Sequence, residues 1–165
     1  MKRILLPVFA AASLSLSGCA SLFAPPVAPG ASEAEVVARL GKPDAIYPDG
    51  NDHLLSYPVG AFGQYSYMAR IGADGKLISY AQVWTLQNFQ AIKVGQDTKD
   101  DVLRRLGHPT LVTRYARIPF EAWNYVFKES GAWNSQMSVF FNEQGIVEKV
   151  QNGPDPRYEG GDRRF

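Results

Sequence analysis

The residue best suited to covalent chemistry is Cys19, the only cysteine among the 165 residues of the chain. Its thiolate would be a strong nucleophile. The cysteine follows a basic start at residues 1–3 and an apolar run over residues 4–16 that ends in small residues. This is the three-part layout of a secretory signal, and the run is too short to span a bilayer comfortably. We therefore expect export, with Cys19 at the cleavage point.

The residues that close this segment resemble a bacterial lipobox: Leu16, Ser17, Gly18 and Cys19. The resemblance implies that the Cys19 thiol is acylated with a diacylglyceryl group, and that cleavage makes Cys19 the first mature residue. Two or more acyl chains give stable anchoring. Ala20 and Ser21 follow instead of an aspartate, which by resemblance to Gram-negative sorting signals implies a periplasm-facing protein of the outer membrane. The alternative is an ordinary signal peptide with an incidental or buried cysteine.

Other residues that carry enzyme chemistry are sparse. His53 and His108 are the only histidines, and they do not form a metal-spaced pair. Asp100 and Asp101 are explained as the acidic start of a helix. The chain has no Gly-x-Ser-x-Gly, no Ser-x-x-Lys and no phosphate-binding glycine loop. We therefore expect no catalytic or metal site, no cofactor and no small-molecule substrate.

Two aromatic residues are candidates for binding another protein. Phe62 lies in a glycine-flanked loop, and Trp133 lies in a second predicted loop. Exposed aromatic side chains are favoured at protein interfaces. We predict that Phe62 and Trp133 contact a partner, with local packing as the alternative for each.

The charge balance argues against nucleic acid as a partner. Removal of residues 1–18 takes away two of 17 basic residues and leaves all 16 acidic ones. The mature chain is therefore close to neutral, which gives no electrostatic basis for binding nucleic acid or an anionic surface.

Two copies of one pattern organise the rest of the chain. Residues 32–43 read SEAEVVARLGKP, and residues 98–109 read TKDDVLRRLGHP. Each copy begins with a hydroxyl residue followed by an acid three positions later, as in a capping box. Each ends in glycine and, two positions on, proline, which stop a helix. The pattern predicts a short capped helix in each copy.

Alternating apolar and polar residues follow each helix and predict antiparallel strands over residues 53–59, 64–83, 121–129 and 135–152. Turns are expected at residues 72–75 and 142–145. A further short helix should precede the second copy, with Leu86, Phe89 and Ile92 facing inward. Six side chains of the second copy are expected to form its core against the helices: Trp123, Tyr125, Phe127, Met137, Val139 and Phe141.

The sequence therefore predicts an α+β fold of two tandem units, each with short helices followed by an antiparallel β-meander. We expect the two sheets to pack side by side or to continue into each other. The predicted boundaries are a signal peptide (1–18), the lipidated cysteine with a proline-rich tether (19–30), a first truncated repeat (31–83), a second repeat (84–152) and a disordered tail (153–165).

Residues 86–109 resemble the SmpA/OmlA (BamE-like) lipoprotein family. They share its Ile-x-x-Gly approach, its Thr-x-x-acid-Val helix start and its Leu-Gly-x-Pro exit, and Trp123-x-Tyr125 and the turn at 142–145 match the family's aromatic strand and hairpin. The resemblance implies a non-enzymatic lipoprotein that binds another envelope protein, in outer membrane protein assembly or envelope integrity. The tandem arrangement is similar to the β-lactamase inhibitory proteins. That likeness implies an alternative, an inhibitor that seats an envelope hydrolase on a concave sheet.

Overall fold

The computed structural model of the protein describes residues 26–59, 63–114 and 120–158. The predicted lipid attachment site at Cys19 and the predicted contact residue Phe62 lie outside these ranges. We call residues 26–83 the first half and residues 84–158 the second half.

The first half contains one helix and a four-stranded antiparallel sheet in chain order: α1 (Glu33–Leu40), β1 (Ala45–Asp49), β2 (Asp52–Val59), β3 (Tyr65–Ile71) and β4 (Leu77–Gln82). The second half has two helices and a second antiparallel sheet: α2 (Leu86–Gln90), α3 (Lys99–Leu106), β5 (Leu111–Arg114), β6 (Glu121–Glu129), β7 (Trp133–Phe141) and β8 (Val147–Pro154). The predicted α+β class is confirmed. Among the described residues the two sheets share no strand pairing, so the option that one continues into the other is wrong.

The two repeated helices have both ends as predicted. Ser32 caps α1 and Thr98 caps α3, and in each case the acid three residues later bonds back to the cap, which completes a capping box. Both helices stop at a glycine with positive φ, 86° at Gly41 and 77° at Gly107. The capping residues therefore determine where these two short helices begin and end.

Each sheet has one strand more than the sequence pattern predicted. The additional strands β1 and β5 precede the predicted ones, and each pairs with a single neighbour at the edge of its sheet. β1 contains Pro48, and β5 has only four residues. Strands this short carry too few positions for an alternation to be recognised, and proline is tolerated at such edges.

The fold begins earlier than the predicted tether allowed. Val27 is fully buried against Val36 and Ile71, and the Gly30 amide donates to the Leu77 carbonyl at 2.7 Å. In the second half, the Gly95 amide makes the corresponding bond to Val147, also at 2.7 Å. Residues 27–30 are therefore part of the folded first half.

The structure also differs from the predicted loose tail. β8 runs through Gly153 to Pro154, and the Asp155 side chain is buried and paired with Arg157. The Asp155 amide donates to the carbonyl of Asn134 at 3.0 Å. Residues 153–158 are thus held by backbone hydrogen bonds. Such bonds leave no recognisable pattern in the side-chain sequence, so the sequence did not predict them.

The core of the second half is the predicted one. All six predicted side chains of β6 and β7 are buried, and they pack with α2 and α3 through Phe89, Val102 and Leu106. Phe89 contacts Phe127 with ring centroids 4.8 Å apart and Tyr125 at 5.8 Å. These six positions on the inner face of the second sheet are therefore used in packing against the helices.

The first sheet is covered on both faces. Leu55 and Tyr57 pack toward α1, whereas Leu54 and Met68, on the opposite face, join the core of the second half. Burial on both faces explains why the middle of β2 has no polar-apolar alternation of exposure.

Ring contacts and side-chain packing join the halves at the C-terminal end of α3, where Gly107 lies close to Ser56 and Met68 of the first sheet. Within the second half, the indole nitrogen of Trp84 donates to the carbonyl of Leu106 at 2.8 Å. Tyr47 of β1 packs edge-on against the His108 ring, with centroids 5.8 Å apart. The end of α3 therefore lies against the face of the first sheet that α1 does not cover.

Candidate protein-binding site

Trp133 lies at the tip of the hairpin that joins β6 and β7. It is the first residue of β7, paired with Glu129, and not a loop residue as predicted. The turn before it passes through two residues with positive φ, Ser130 at 51° and Gly131 at 73°. The Trp133 side chain is 74% exposed, the highest value among the large hydrophobic side chains that the structure describes. A large apolar side chain so exposed is a candidate contact for a partner.

The hairpin tip is held rigidly beneath this side chain. The Glu129 carboxylate accepts hydrogen bonds from the Ser135 hydroxyl at 2.7 Å and from the Asn152 amide at 3.1 Å. These two bonds lower the pKa of Glu129. Trp133 is therefore presented from strands whose ends are cross-linked by side chains, which reduces the entropy lost when a partner binds.

A second exposed aromatic residue, Tyr158, comes from the segment that follows β8. Asp155 bonds to the backbone of Asn134, next to Trp133, and Tyr158 in turn donates its amide to the Asp155 carbonyl at 2.9 Å. The Tyr158 side chain is 49% exposed. We name Trp133 and Tyr158 the hairpin-end surface. Sequence reasoning missed Tyr158 because its segment was expected to be loose.

The first half reaches the same place through Gln64, whose buried side chain donates to Asn134 at 2.9 Å. Phe62 lies outside the described residues, so its contact role stays a prediction. Phe62 nonetheless stands only two residues before Gln64 in the chain. Gln64 therefore bonds to Asn134, the residue that follows the other predicted contact residue, Trp133.

The two histidines contact neighbouring side chains in the fold. His53 Nε2 lies 3.1 Å from a Glu33 carboxylate oxygen, and His108 packs on Tyr47. Lys99 and Glu121 occupy the positions in the second half that correspond to Glu33 and His53. Here the helix supplies the basic residue and the strand supplies the acid, and Lys99 Nζ is 2.9 Å from Glu121. Each of these side chains therefore has a neighbouring side chain that it packs on or pairs with.

The acidic start of α3 is also accounted for by local bonds. Asp101 accepts from the hydroxyl and the amide of Thr98, and it pairs with Arg104. These bonds, of which those to Thr98 are the strongest, lower the pKa of Asp101 to about 2. In the part of the chain that the structure describes, no group of three or more His, Cys, Asp or Glu residues could hold a metal ion. None of the described helices is long and apolar enough to cross a membrane.

Two solved structures show remote likeness to the chain. A DUF4309 family protein (YjgB) from Bacillus subtilis subsp. subtilis str. 168 is 15% identical, with 76% of this chain and 79% of that chain covered and a TM-score of 0.33. An extracellular protein containing an SCP domain from Bacillus anthracis str. Ames is 11% identical, with 76% and 44% covered and a TM-score of 0.28. The chain thus spans less than half of the second structure.

The second half matches a protein family directly. Comparison with curated proteins gives no match. Residues 81–151, which include α2, α3, β5–β7 and most of β8, match the family described as the outer membrane protein assembly factor BamE domain. The resemblance read from the sequence is therefore confirmed for this segment, residues 81–151.

Proposed function

We propose that the protein is a bacterial lipoprotein of the outer membrane, facing the periplasm, that acts as a non-enzymatic protein-binding module in outer membrane protein assembly. The observation that carries this proposal is the BamE domain match over residues 81–151. Members of that family are accessory proteins of assembly and not enzymes. The rigid hairpin-end surface supplies an exposed aromatic anchor of the kind that protein partners bind.

We also propose that the first half is a second, truncated unit of the same type. Both halves place a capping-box helix before a four-stranded meander in the same order. The bridges Ser32 to Lys76 and Thr98 to Ile146 occupy corresponding positions. The second half has the extra helix α2, for which the described part of the first half has no counterpart.

The anchor is proposed from the sequence at residues 16–19. Leu16, Ser17 and Gly18 precede Cys19 after an apolar run, and six residues then separate Cys19 from the start of the described fold at Pro26. The seven Cα steps from Cys19 to Pro26 span at most roughly 25 Å, so an anchored fold would stay close to the bilayer. The hairpin-end surface would then meet partners that are themselves membrane proteins or lie at the membrane.

Replacing Cys19 with serine is expected to abolish lipid attachment and cleavage, because serine lacks the thiol that accepts the diacylglyceryl group. Labelling cells with radioactive palmitate and comparing the precursor with the mature band measures both effects. Wild-type protein should be labelled and shortened, and the variant should be neither. Normal cleavage of the variant to a soluble product would overturn the lipoprotein proposal.

Replacing Trp133 with alanine is expected to reduce recovery of the partner at least tenfold in crosslinked membranes, since a buried aromatic anchor contributes on the order of 2 kcal/mol or more to binding. The Trp133 side chain makes no hydrogen bond within the described residues and is mostly exposed, so the free energy of unfolding should change by less than about 0.5 kcal/mol. Ile46→Ala is the matched control, because Ile46 is also an exposed apolar residue, at 57%, but lies in β1.

The identity of the crosslinked protein separates the proposed function from its alternative. A photo-crosslinking residue at position 133 should label subunits of the barrel-assembly machinery. Labelling of an envelope hydrolase would favour the inhibitor instead. Unchanged recovery with Trp133→Ala would remove the hairpin-end surface from the proposal.

The structure offers the inhibitor alternative less support. A concave surface built from both sheets would need the face of the first sheet opposite α1 to be open. That face packs on the second half through Leu54 and Met68 and lies against Gly107. We therefore do not propose that the two sheets together form a surface that binds an enzyme.

A further inference from the structure

The face of the second sheet that points away from α2 and α3 is rich in amide and hydroxyl side chains. Strand pairing places them on one face, because side chains alternate between the two faces and the core residues occupy the other positions. We name this surface the amide face, and its polar residues are Thr113, Asn124, Asn134, Gln136, Ser138 and Gln151. None of these six side chains carries a charge, and the charged residues Lys128 and Lys149 lie toward the margins of the same face.

The centre of the amide face is a fixed hydrogen-bond network around Asn124. Its Oδ1 accepts from the Ser138 hydroxyl at 2.7 Å and from Gln136 Nε2 at 3.2 Å, and its Nδ2 donates to Thr113 Oγ1 at 3.0 Å. Asn124 is only 7% exposed. A satisfied network of this kind holds its members in one geometry before any ligand arrives.

Some hydrogen-bonding groups on this face remain available. Neither Gln136 Oε1 nor the side-chain amide of Gln151 has a hydrogen-bond partner among the described residues. Both residues line a depression of about 190 Å³ together with Ser138, Gly153 and Pro154. The amide face therefore presents donors and acceptors into an open depression.

A second depression, in which aromatic rings meet charged side chains, lies on the same face. It has a volume of about 410 Å³ and is lined by Phe120, Phe140, Glu148 and Lys149. Phe140 follows Ser138 on the same side of β7, and Lys149 Nζ lies 5.6 Å from the centre of its ring. The distance along β7 from Gln136 to Phe140 is about 13 Å at the rise of an extended strand.

We propose that the amide face binds an uncharged oligosaccharide that carries acetamido groups. A side-chain amide offers one acceptor and two donors, which matches the N–H and C=O of an acetamido group as well as sugar hydroxyls. The ring of Phe140 offers an apolar surface for the C–H face of a sugar. This inference does not depend on the partner proposed for the hairpin-end surface.

A protein ligand fits this face less well than a sugar does. Protein interfaces are anchored by exposed aromatic, methionine or arginine residues in desolvated positions. The strongly exposed large hydrophobic residue of this face is Leu111, at its margin on β5, whereas the centre is amide and hydroxyl. A protein partner on this surface is therefore treated as the competing outcome.

The test is calorimetric titration of the purified protein with the tetramer of N-acetylglucosamine, with the glucose tetramer as the matched ligand that lacks acetamido groups. We expect saturable binding of the first and at least tenfold weaker binding of the second. Phe140→Ala and Gln151→Ala should each weaken binding at least tenfold. Gln87→Ala, which alters another exposed glutamine without a side-chain partner but on α2, should bind as the wild type does.

Three results would overturn the proposal. These are absence of saturable binding by the wild type, wild-type affinity in both the Phe140 and Gln151 variants, or capture of a protein at this face together with no response to either sugar. Two separate variants keep the test decisive if one of them folds poorly. Failure here would leave the Trp133 crosslinking result unaffected, since Trp133 is not part of the amide face.

Discussion

Replacing Gly107 with alanine is expected to lower the free energy of unfolding by about 3–5 kcal/mol, combining backbone strain with overpacking. Gly107 has φ 77° and ψ −168°, a conformation that residues with a Cβ rarely adopt. An alanine Cβ would also lie 2.9 Å from the Ser56 hydroxyl oxygen and 3.4 Å from the Met68 methyl carbon. Ser56 and Met68 belong to the first sheet, so the substitution should also weaken the contact between the halves.

Gly41→Ala is the matched control for this prediction. Gly41 ends α1 with φ 86° and ψ −174°, but a Cβ there would meet nothing within 4 Å. Its substitution should therefore lower the free energy of unfolding through backbone strain alone, by about 1–3 kcal/mol. Urea unfolding followed by tryptophan fluorescence measures both variants.

Ser56→Ala in the Gly107→Ala background tests the contact itself. Removing the hydroxyl oxygen takes away the closest atom, so we expect recovery of about 1–2 kcal/mol, the share due to overpacking. Equal costs for the two glycine variants, with no recovery in the double variant, would mean that the halves do not press together at Gly107.

The same pair of glycines illustrates how far the sequence predicts the fold. Gly41 and Gly107 occupy identical places in the repeated pattern, and both end a helix as predicted. Their local role follows from short-range chemistry that the sequence displays. Their different surroundings arise because the first sheet packs on the end of α3, and nothing in either twelve-residue pattern contains that long-range contact.

Strands were predictable where side-chain alternation was long enough. β6 and β7 have nine residues each, and the six core side chains predicted on them are all buried. The alternation did not reveal that Ala122, Asn124 and Val126 on the other face of β6 are buried as well. The short edge strands β1 and β5 were missed because four or five residues give a weak pattern. At the chain ends of the described fold, Val27 and Asp155 are single buried residues whose burial depends on distant partners.

The candidate sites divide in the same way, into features that follow from local sequence and features that depend on long-range contacts. Residue type and its place between predicted strands were enough to single out Trp133. The amide face was not found, because its network joins Asn124 of β6 to Gln136 and Ser138 of β7. Such a network depends on strand register, and a shift of one residue would send each side chain to the other face.

The second large effect concerns acid stability and depends on Glu121. Its carboxylate accepts from Lys99 Nζ at 2.9 Å, Trp123 Nε1 at 2.7 Å and Arg114 Nε at 2.8 Å. Lys99 contributes most, and together these bonds lower the pKa of Glu121 from 4.5 to about 2. A carboxyl with a depressed pKa in the folded state stabilises the fold fully above its unfolded value. That stabilisation is lost as pH falls from about 4.5 toward 2.

We therefore expect Glu121→Gln to remove about 2 kcal/mol of stability at pH 7 and to flatten the fall in stability between pH 5 and pH 2 by a similar amount. Urea unfolding at a series of pH values measures both effects in one experiment. Glu143→Gln, in the exposed turn between β7 and β8, should leave the profile unchanged. If the stability of the Glu121 variant fell with pH as steeply as that of the wild type, groups other than Glu121 would be responsible for the acid sensitivity. The flattened slope, in contrast, would identify the ion pair that joins the start of α3 to β6 as a main source of stability in the second half.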